Sequence, residues 1–69
     1  MTTVLETYKD SNGIHADIEQ DKYSRSVRLI VYTIYDGCLA DVLHQNTFAT
    51  VANARRAVRR YLSAPIERG

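Results

Sequence analysis

The sequence is poor in the residues that cross-link, rigidify or bend a chain. Its 69 residues include one cysteine, one proline, three glycines and no tryptophan. A single cysteine, Cys38, cannot form a disulfide within the chain, which excludes a disulfide-stapled secreted scaffold. No apolar run is long enough to span a membrane, and the N-terminal residues do not form a signal-peptide pattern. The three glycines stand at turns or at the chain end, so no glycine-rich phosphate loop is present.

Histidine is also scarce, and this bears on catalysis and metal binding. His15 and His44 are the only histidines, and neither stands at a metal-ligand spacing from the other or from Cys38. His15, Asp17 and Glu19 alternate along one strand face, where they could hold a cation, but a solvated polar face explains them better. We therefore expect no enzyme activity, no cofactor and no metal.

The length allows one domain, which we place over residues 1–69. With 45% apolar and 25% charged residues, the composition is not that of a disordered chain. A chain of this mass buries only about 60% of its unfolded surface, so association would help to stabilise it. The chain starts at Met1 and ends soon after its last predicted element, so we expect a whole small gene product in the cytoplasm.

Alternating and β-branched segments predict four strands joined by short turns. Asn12-Gly13 and Asp36-Gly37 are hairpin signals, because these residue types tolerate positive φ. If Asp36-Gly37 is a two-residue loop, Tyr35 opposes Cys38 and the pairing continues without interruption. That register places Ile34 opposite Leu39, Thr33 opposite Ala40, and Val31 opposite Val42. The predicted strands cover about residues 3–9, 14–20, 25–35 and 38–46.

One helix is predicted after the strands, over about residues 49–63. Its apolar residues recur at helical spacing, either Thr47 or Thr50 can cap its start, and Pro65 ends it. Residues 64–69 are expected to form a loose tail. The predicted fold is α+β, a four-stranded antiparallel meander of two hairpins followed by one C-terminal helix packed on one sheet face (β-β-β-β-α).

The third strand is apolar on both faces, although one short helix can cover only one of them. Either the helix and the sheet twist cover most of this surface, or a second copy or another protein does. The second interpretation predicts a homodimer formed by sheet-face or edge-strand pairing. Its interface would contain Ile30, Tyr32, Ile34, Leu39 and Leu43.

Charge is distributed unevenly along the chain. Residues 1–46 carry four basic and seven acidic side chains, whereas residues 47–69 carry five arginines and one glutamate. Four of these arginines form two i,i+4 pairs on the predicted helix, where like charges repel unless they are neutralised. They could be solvated, paired with Asp17, Glu19 and Asp21, bound to an acidic protein, or bound to phosphates.

These surfaces predict binding rather than catalysis. The leading hypothesis is a small regulator or inhibitor of a larger complex, of the kind that phages and mobile elements carry. One alternative is a nucleic-acid-binding module that contacts phosphates through its helix, and a second is a structural homo-oligomer subunit. A pI near 7.9 argues against nucleic acid, whose binding proteins are usually strongly basic. The predicted partner-binding residues are Arg55, Arg56, Arg59, Arg60, Tyr32 and Tyr35.

Overall fold

Short turns fold the chain into an antiparallel meander, and the predicted α+β class is confirmed. The structure is a computed structural model that describes residues 2–69, apart from the side chains at positions 39 and 40. The five strands form one sheet in the order β4-β3-β2-β1-β5. The elements are β1 Thr2–Asp10, β2 Ile14–Asp21, β3 Val27–Tyr35, β4 Cys38–Phe48, α1 Val51–Tyr61 and β5 Ile66–Arg68.

The two predicted hairpin signals, Asn12-Gly13 and Asp36-Gly37, form turns of different length and backbone conformation. Asp36 and Gly37 both have positive φ, 58° and 79°, as a two-residue hairpin loop of the primed type requires. The β1–β2 connection is longer, and within it only Gly13 has a positive φ, 82°. There the Asp10 carboxylate accepts hydrogen bonds from the backbone N–H of Asn12 at 2.9 Å and of Ile14 at 3.0 Å.

The register between β3 and β4 departs from the uninterrupted pairing that the turn predicts. Tyr35 pairs with Cys38 and Ile34 with Leu39, as predicted, but Thr33 then pairs with Asp41 and Val31 with His44. The predicted pairs Thr33–Ala40 and Val31–Val42 are therefore wrong. Each of two irregularities inserts one extra residue into β4, which is the usual effect of a β-bulge.

The core lies between α1 and one face of the sheet. Val27, Leu29 and Val31 point into it, so the helix covers this face of β3 and leaves the other uncovered. We call the uncovered side the open face; it carries Ile30, Tyr32 and Ile34, which alternate with the buried set. The buried apolar residues are Ala16, Ile18, Val27, Leu29, Val31, Ala54, Ala57, Val58 and Leu62.

The helix is bounded by polar contacts at both ends. Thr50, one of the two predicted caps, accepts a hydrogen bond from the Asn53 backbone N–H at 3.2 Å. The helix ends at Tyr61, two residues before the predicted end, because Leu62 is already extended. The Ser63 backbone N–H then donates to the Asp10 carboxylate at 2.9 Å, which ties the end of the helix to β1.

The C-terminal residues form a strand rather than the expected loose tail. β5 pairs antiparallel with β1, placing Arg68 opposite Tyr8 and Glu67 opposite Lys9. The Gly69 backbone N–H also donates to the Thr7 carbonyl at 2.9 Å. β1 has an otherwise unpaired edge, and Ile66 packs partly buried against the core, so both backbone and side chain favour this docking.

Candidate functional site

Four arginines project from α1 because its other side is buried. Ala54, Ala57 and Val58 face the sheet, so the side chains between them point outward. All four arginines of the predicted partner-binding set on the helix are exposed: Arg55, Arg56, Arg59 and Arg60. We call them the arginine face.

Arg55 differs from the other three because it is bound to a buried carboxylate. Its Nε lies 2.8 Å from Oε1 and 3.0 Å from Oε2 of Glu6, and its Nη2 also donates to Oε2. The Glu6 side chain is 4% exposed. Arg68 of β5 donates to the same Oε2 at 3.1 Å, and the Tyr8 hydroxyl donates to Oε1. Glu6 therefore joins β1, α1 and β5 through one carboxylate.

The titration properties of this cluster follow from its geometry. The hydrogen bond from Arg55, with a second from Tyr8, lowers the pKa of Glu6 from 4.5 to about 2. The same contact with Glu6 raises the pKa of Arg55, which stays charged. Burial, followed by the hydrogen bond to Glu6, raises the pKa of Tyr8. Glu6 is consequently a permanent anion at neutral pH, and its charge is already neutralised.

Pairing with acidic residues of the strands was one alternative for the helix arginines, but these acidic residues have other partners. Asp17 accepts from the Tyr32 hydroxyl at 3.0 Å, and Glu19 accepts from Arg28 Nη2 at 2.9 Å. Asp21 accepts from the backbone N–H of Tyr23 at 2.7 Å and so organises the β2–β3 turn. The intramolecular partner of the arginine face is instead Glu6.

Two grooves flank α1, one on each side. The β1-side groove has a volume of about 230 Å³, and the β4-side groove has a volume of about 210 Å³. Each contains two arginines one helical turn apart. The β1-side groove is lined by Tyr8, Arg55, Val58, Arg59 and Ile66. The β4-side groove is lined by Phe48, Asn53, Arg56, Ala57 and Arg60.

The open face carries apolar residues on β3 and β4 and polar residues on β2. Ile30 and Tyr32 are half-buried, and Ile34 is 42% exposed. The Tyr32 ring stacks on His15 with centroids 5.5 Å apart, so its position is fixed by a ring contact and by its bond to Asp17. Tyr35, at the tip of the β3–β4 hairpin, is 78% exposed.

Two residues of the predicted oligomer interface, Leu39 and Leu43, lie on β4. Leu43 is 45% exposed, and Val42, which the sequence interpretation did not include, is 50% exposed. Val42 pairs with Tyr32 and therefore shares the open face. The Leu39 side chain lies outside the described part of the structure. Among the side chains that the structure describes, the apolar part of the open face includes Ile30, Tyr32, Ile34 and Val42.

The remaining reactive residues are dispersed. In residues 2–69, no group of three or more His, Cys, Asp or Glu side chains is arranged to hold a metal ion. His44 packs on the Tyr61 ring with centroids 4.3 Å apart, and Cys38 is exposed beside the hairpin turn. Within the same residues, no helix is both long and apolar enough to cross a membrane.

One surface concavity has a greater volume than either groove beside α1. It measures about 490 Å³ and lies between the N-terminal half of β1 and the β2–β3 turn. The concavity is wide open to solvent, and its lining carries no cluster of catalytic side chains: Thr3, Leu5, Gln20, Asp21, Lys22 and Arg25.

Comparisons with known proteins give no further guide to function: no family model, curated protein or solved structure matches this chain. Sequence reasoning found the arginine face but missed the Glu6 cluster that divides it. The available signal was the alternation of Glu6, Tyr8 and Asp10 in β1, which places two carboxylates on the side that packs against the helix.

Proposed function

We propose that this protein is a small non-enzymatic regulator or inhibitor that binds an acidic surface of a larger protein through its arginine face. One observation supports the proposal most directly. In the part of the chain that the structure describes, Arg56, Arg59 and Arg60 take part in no ion pair. Three adjacent guanidinium groups repel one another, and a partner's carboxylates would relieve that repulsion.

The distribution of the protein's own carboxylates also supports an external partner. Glu6, Asp10, Asp17, Glu19 and Asp21 are all engaged by side chains or backbone N–H groups. These contacts hold the five carboxylates away from Arg56, Arg59 and Arg60, with which none of them forms an ion pair. Arginine suits such a role because its planar fork matches a carboxylate in two parallel hydrogen bonds.

Nucleic acid is the second candidate, favoured by the i,i+4 arginine pairs on one exposed helix. Phosphate contacts of this kind would make the affinity fall steeply with salt. Two features favour protein instead. Arg55 already has its counterion in Glu6, and the β4-side groove combines its arginines with Phe48 and Ala57, which suits an apolar side chain better than a phosphate.

A homodimer formed through the open face is part of the same proposal. The accessible surface is 4837 Å², about a tenth more than the roughly 4,400 Å² expected for a monomer of this mass. The exposed apolar residues Ile34, Val42 and Leu43 account for part of this surface. The dimer would leave the arginine face free, because α1 lies on the opposite side of the sheet. The proposal also places the protein in the cytoplasm, where the exposed Cys38 thiol stays reduced.

The test compares the wild type with the triple variant Arg56→Glu, Arg59→Glu and Arg60→Glu as bait in cross-linked affinity capture. We expect the wild type to retain a defined acidic protein in salt-sensitive fashion and the variant to lose it. Titration of labelled single- and double-stranded oligonucleotides at about 50 and 200 mM salt runs alongside. Micromolar oligonucleotide binding that collapses at the higher salt, with no protein captured, would replace the first candidate with the second.

A further inference from the structure

The two grooves beside α1 are similar in size and in arginine content but differ in how much of their positive charge is neutralised. In the β1-side groove, Glu6 and Arg55 form a close ion pair in which the carboxylate is buried. That groove therefore carries one neutralised arginine and one free arginine, Arg59. In the β4-side groove, both Arg56 and Arg60 are exposed, and no acidic side chain lines the walls. The β4-side groove is thus the place on the helix where positive charge is concentrated.

The walls of the β4-side groove add a second recognition element. Phe48 is half-buried and packs against the core, and Ala57 is only 4% exposed, so the floor between them is apolar and fixed. Asn53 lies in the first turn of α1 and adds an amide that can donate or accept. At about 210 Å³, the groove lies below the range of about 300 Å³ and above that is typical of small-molecule sites. Its size suits one inserted side chain with charged neighbours.

We infer that the β4-side groove binds an acidic segment of a protein partner, with one apolar side chain seated against Phe48 and Ala57 and two carboxylates on the same face of that segment paired with Arg56 and Arg60. This inference rests on the proposed function and specifies which part of the arginine face carries it. Residues at i and i+4 of a helix lie about 6 Å apart. Carboxylates two residues apart on an extended segment are separated by about 6.5 Å, so the two spacings match.

This assignment divides the four helix arginines by role. Arg55 is a structural residue that neutralises Glu6, and Arg59 contributes only general positive charge from the other groove. Arg56 and Arg60 bind the partner directly. Arg59 therefore provides a matched control for Arg60, because both are exposed arginines at adjacent positions of the same helix and only Arg60 lines the β4-side groove.

The test uses a fluorescein-labelled dodecapeptide of glutamate with one central leucine, and a second in which lysine replaces every glutamate. Fluorescence anisotropy is measured with the wild type, Arg60→Gln, Arg59→Gln and the double variant Arg56→Gln/Arg60→Gln. We expect binding of the acidic peptide only. The double variant should bind about tenfold more weakly, whereas Arg59→Gln should bind within about twofold of the wild type. Thermal unfolding of each variant establishes that all remain folded.

Two results would overturn the inference and leave the proposed function standing. Equal weakening by Arg59→Gln and Arg60→Gln would mean that the whole helix attracts the peptide by diffuse electrostatics, with no role for the groove. Retention of the captured acidic protein by the double variant, with loss only in the triple variant that also replaces Arg59, would place the contact on the arginine face but outside the β4-side groove. If labelled duplex DNA binds with the same dependence on Arg56 and Arg60 while the acidic peptide does not bind, both the groove's ligand and the proposed function are wrong.

Discussion

Glu6 shows how one residue can hold together elements that are distant in the sequence. It is buried, yet it is surrounded by donors from Tyr8, Arg55 and Arg68. A buried carboxylate without partners would be strongly destabilising, whereas one with charge-assisted bonds is stable in place. Any change that removes the negative charge leaves the guanidinium groups of Arg55 and Arg68 close together without their shared counterion.

Glu6→Gln should therefore lower the free energy of unfolding at pH 7 by about 2 kcal/mol. The pKa of Glu6 is about 2 in the folded protein, against 4.5 for an unperturbed glutamate. Its stabilising contribution is complete above about pH 4.5 and is lost as the pH falls toward 2. Urea unfolding of both proteins across this range should show the difference shrinking. A constant difference down to pH 2 would mean that charge is not the cause.

The exposed Glu67 provides the comparison for that substitution. Glu67 lies 3.6 Å from Lys9 and both side chains are more than half exposed, so Glu67→Gln should change stability by well under 1 kcal/mol.

Tyr32, on the open face, is a second residue whose hydrogen bond can be tested by a single substitution. Removing its hydroxyl in Tyr32→Phe takes away the 3.0 Å hydrogen bond to Asp17 and should cost about 1 kcal/mol. Burial raises the pKa of Asp17, and the Tyr32 bond partly offsets this, so the variant should raise that pKa further. NMR titration of the Asp17 carboxyl measures the shift. Tyr35→Phe, at a 78% exposed position, should leave both quantities unchanged.

Among the secondary-structure elements, β5 contributes more than its three residues suggest. It covers the C-terminal part of the β1 edge, places Arg68 against Glu6 and brings Ile66 to the core. Deletion of residues 66–69 should lower the free energy of unfolding by about 2 kcal/mol while leaving the meander intact. Hydrogen exchange should show faster exchange at the outer edge of β1 and unchanged protection in β3. Unchanged exchange in β1 would mean that β5 is not stably paired.

The elements that the sequence predicts correctly are those set by local chemistry. Asp36-Gly37 predicts the β3–β4 turn because both residues adopt positive φ, and Thr50 predicts the helix start because its hydroxyl caps the Asn53 amide. The bulges in β4 carry no such mark, since neither glycine nor proline stands at them. β5 was missed for a different reason: its pairing with β1 joins residues about 60 positions apart, which no local pattern reveals.

Like the fold, the candidate site can be predicted from the sequence only where local patterns determine it. The charge asymmetry and helical spacing locate the arginine face, because periodicity determines which side chains are exposed. They do not reveal that Arg55 is bound internally, since its partner, Glu6, lies on the first strand. The sequence does not reveal the two grooves either, because they form only where the helix meets two separate strands.

For the molecule as a whole, the prediction is self-association through the open face. Ile34→Asp should convert a dimer into a soluble monomer, because it places a charge within the apolar part of that face. Leu5→Asp is a matched control: Leu5 is 41% exposed and Ile34 is 42% exposed, but Leu5 lies on β1, away from that part. Light scattering gives the mass. A monomeric wild type, or an unchanged mass in Ile34→Asp, would contradict the dimer.

The sheet has two unlike edges, and this limits how copies can aggregate. One edge is composite: β5 has only three residues, carries Glu67 and Arg68 and pairs with Tyr8–Asp10, while the N-terminal part of β1 continues the edge without a partner strand within residues 2–69. The other is β4, which has eleven residues and a single charge, Asp41. Growth of a fibre by edge-to-edge addition requires two receptive edges on every copy. The free part of the β1 edge is interrupted by the irregularity between Val4 and Glu6, which makes it a poor template for strand addition. Edge-to-edge association should therefore favour a closed pair through β4, and fibril formation in concentrated solutions should increase once β5 detaches and uncovers the rest of β1.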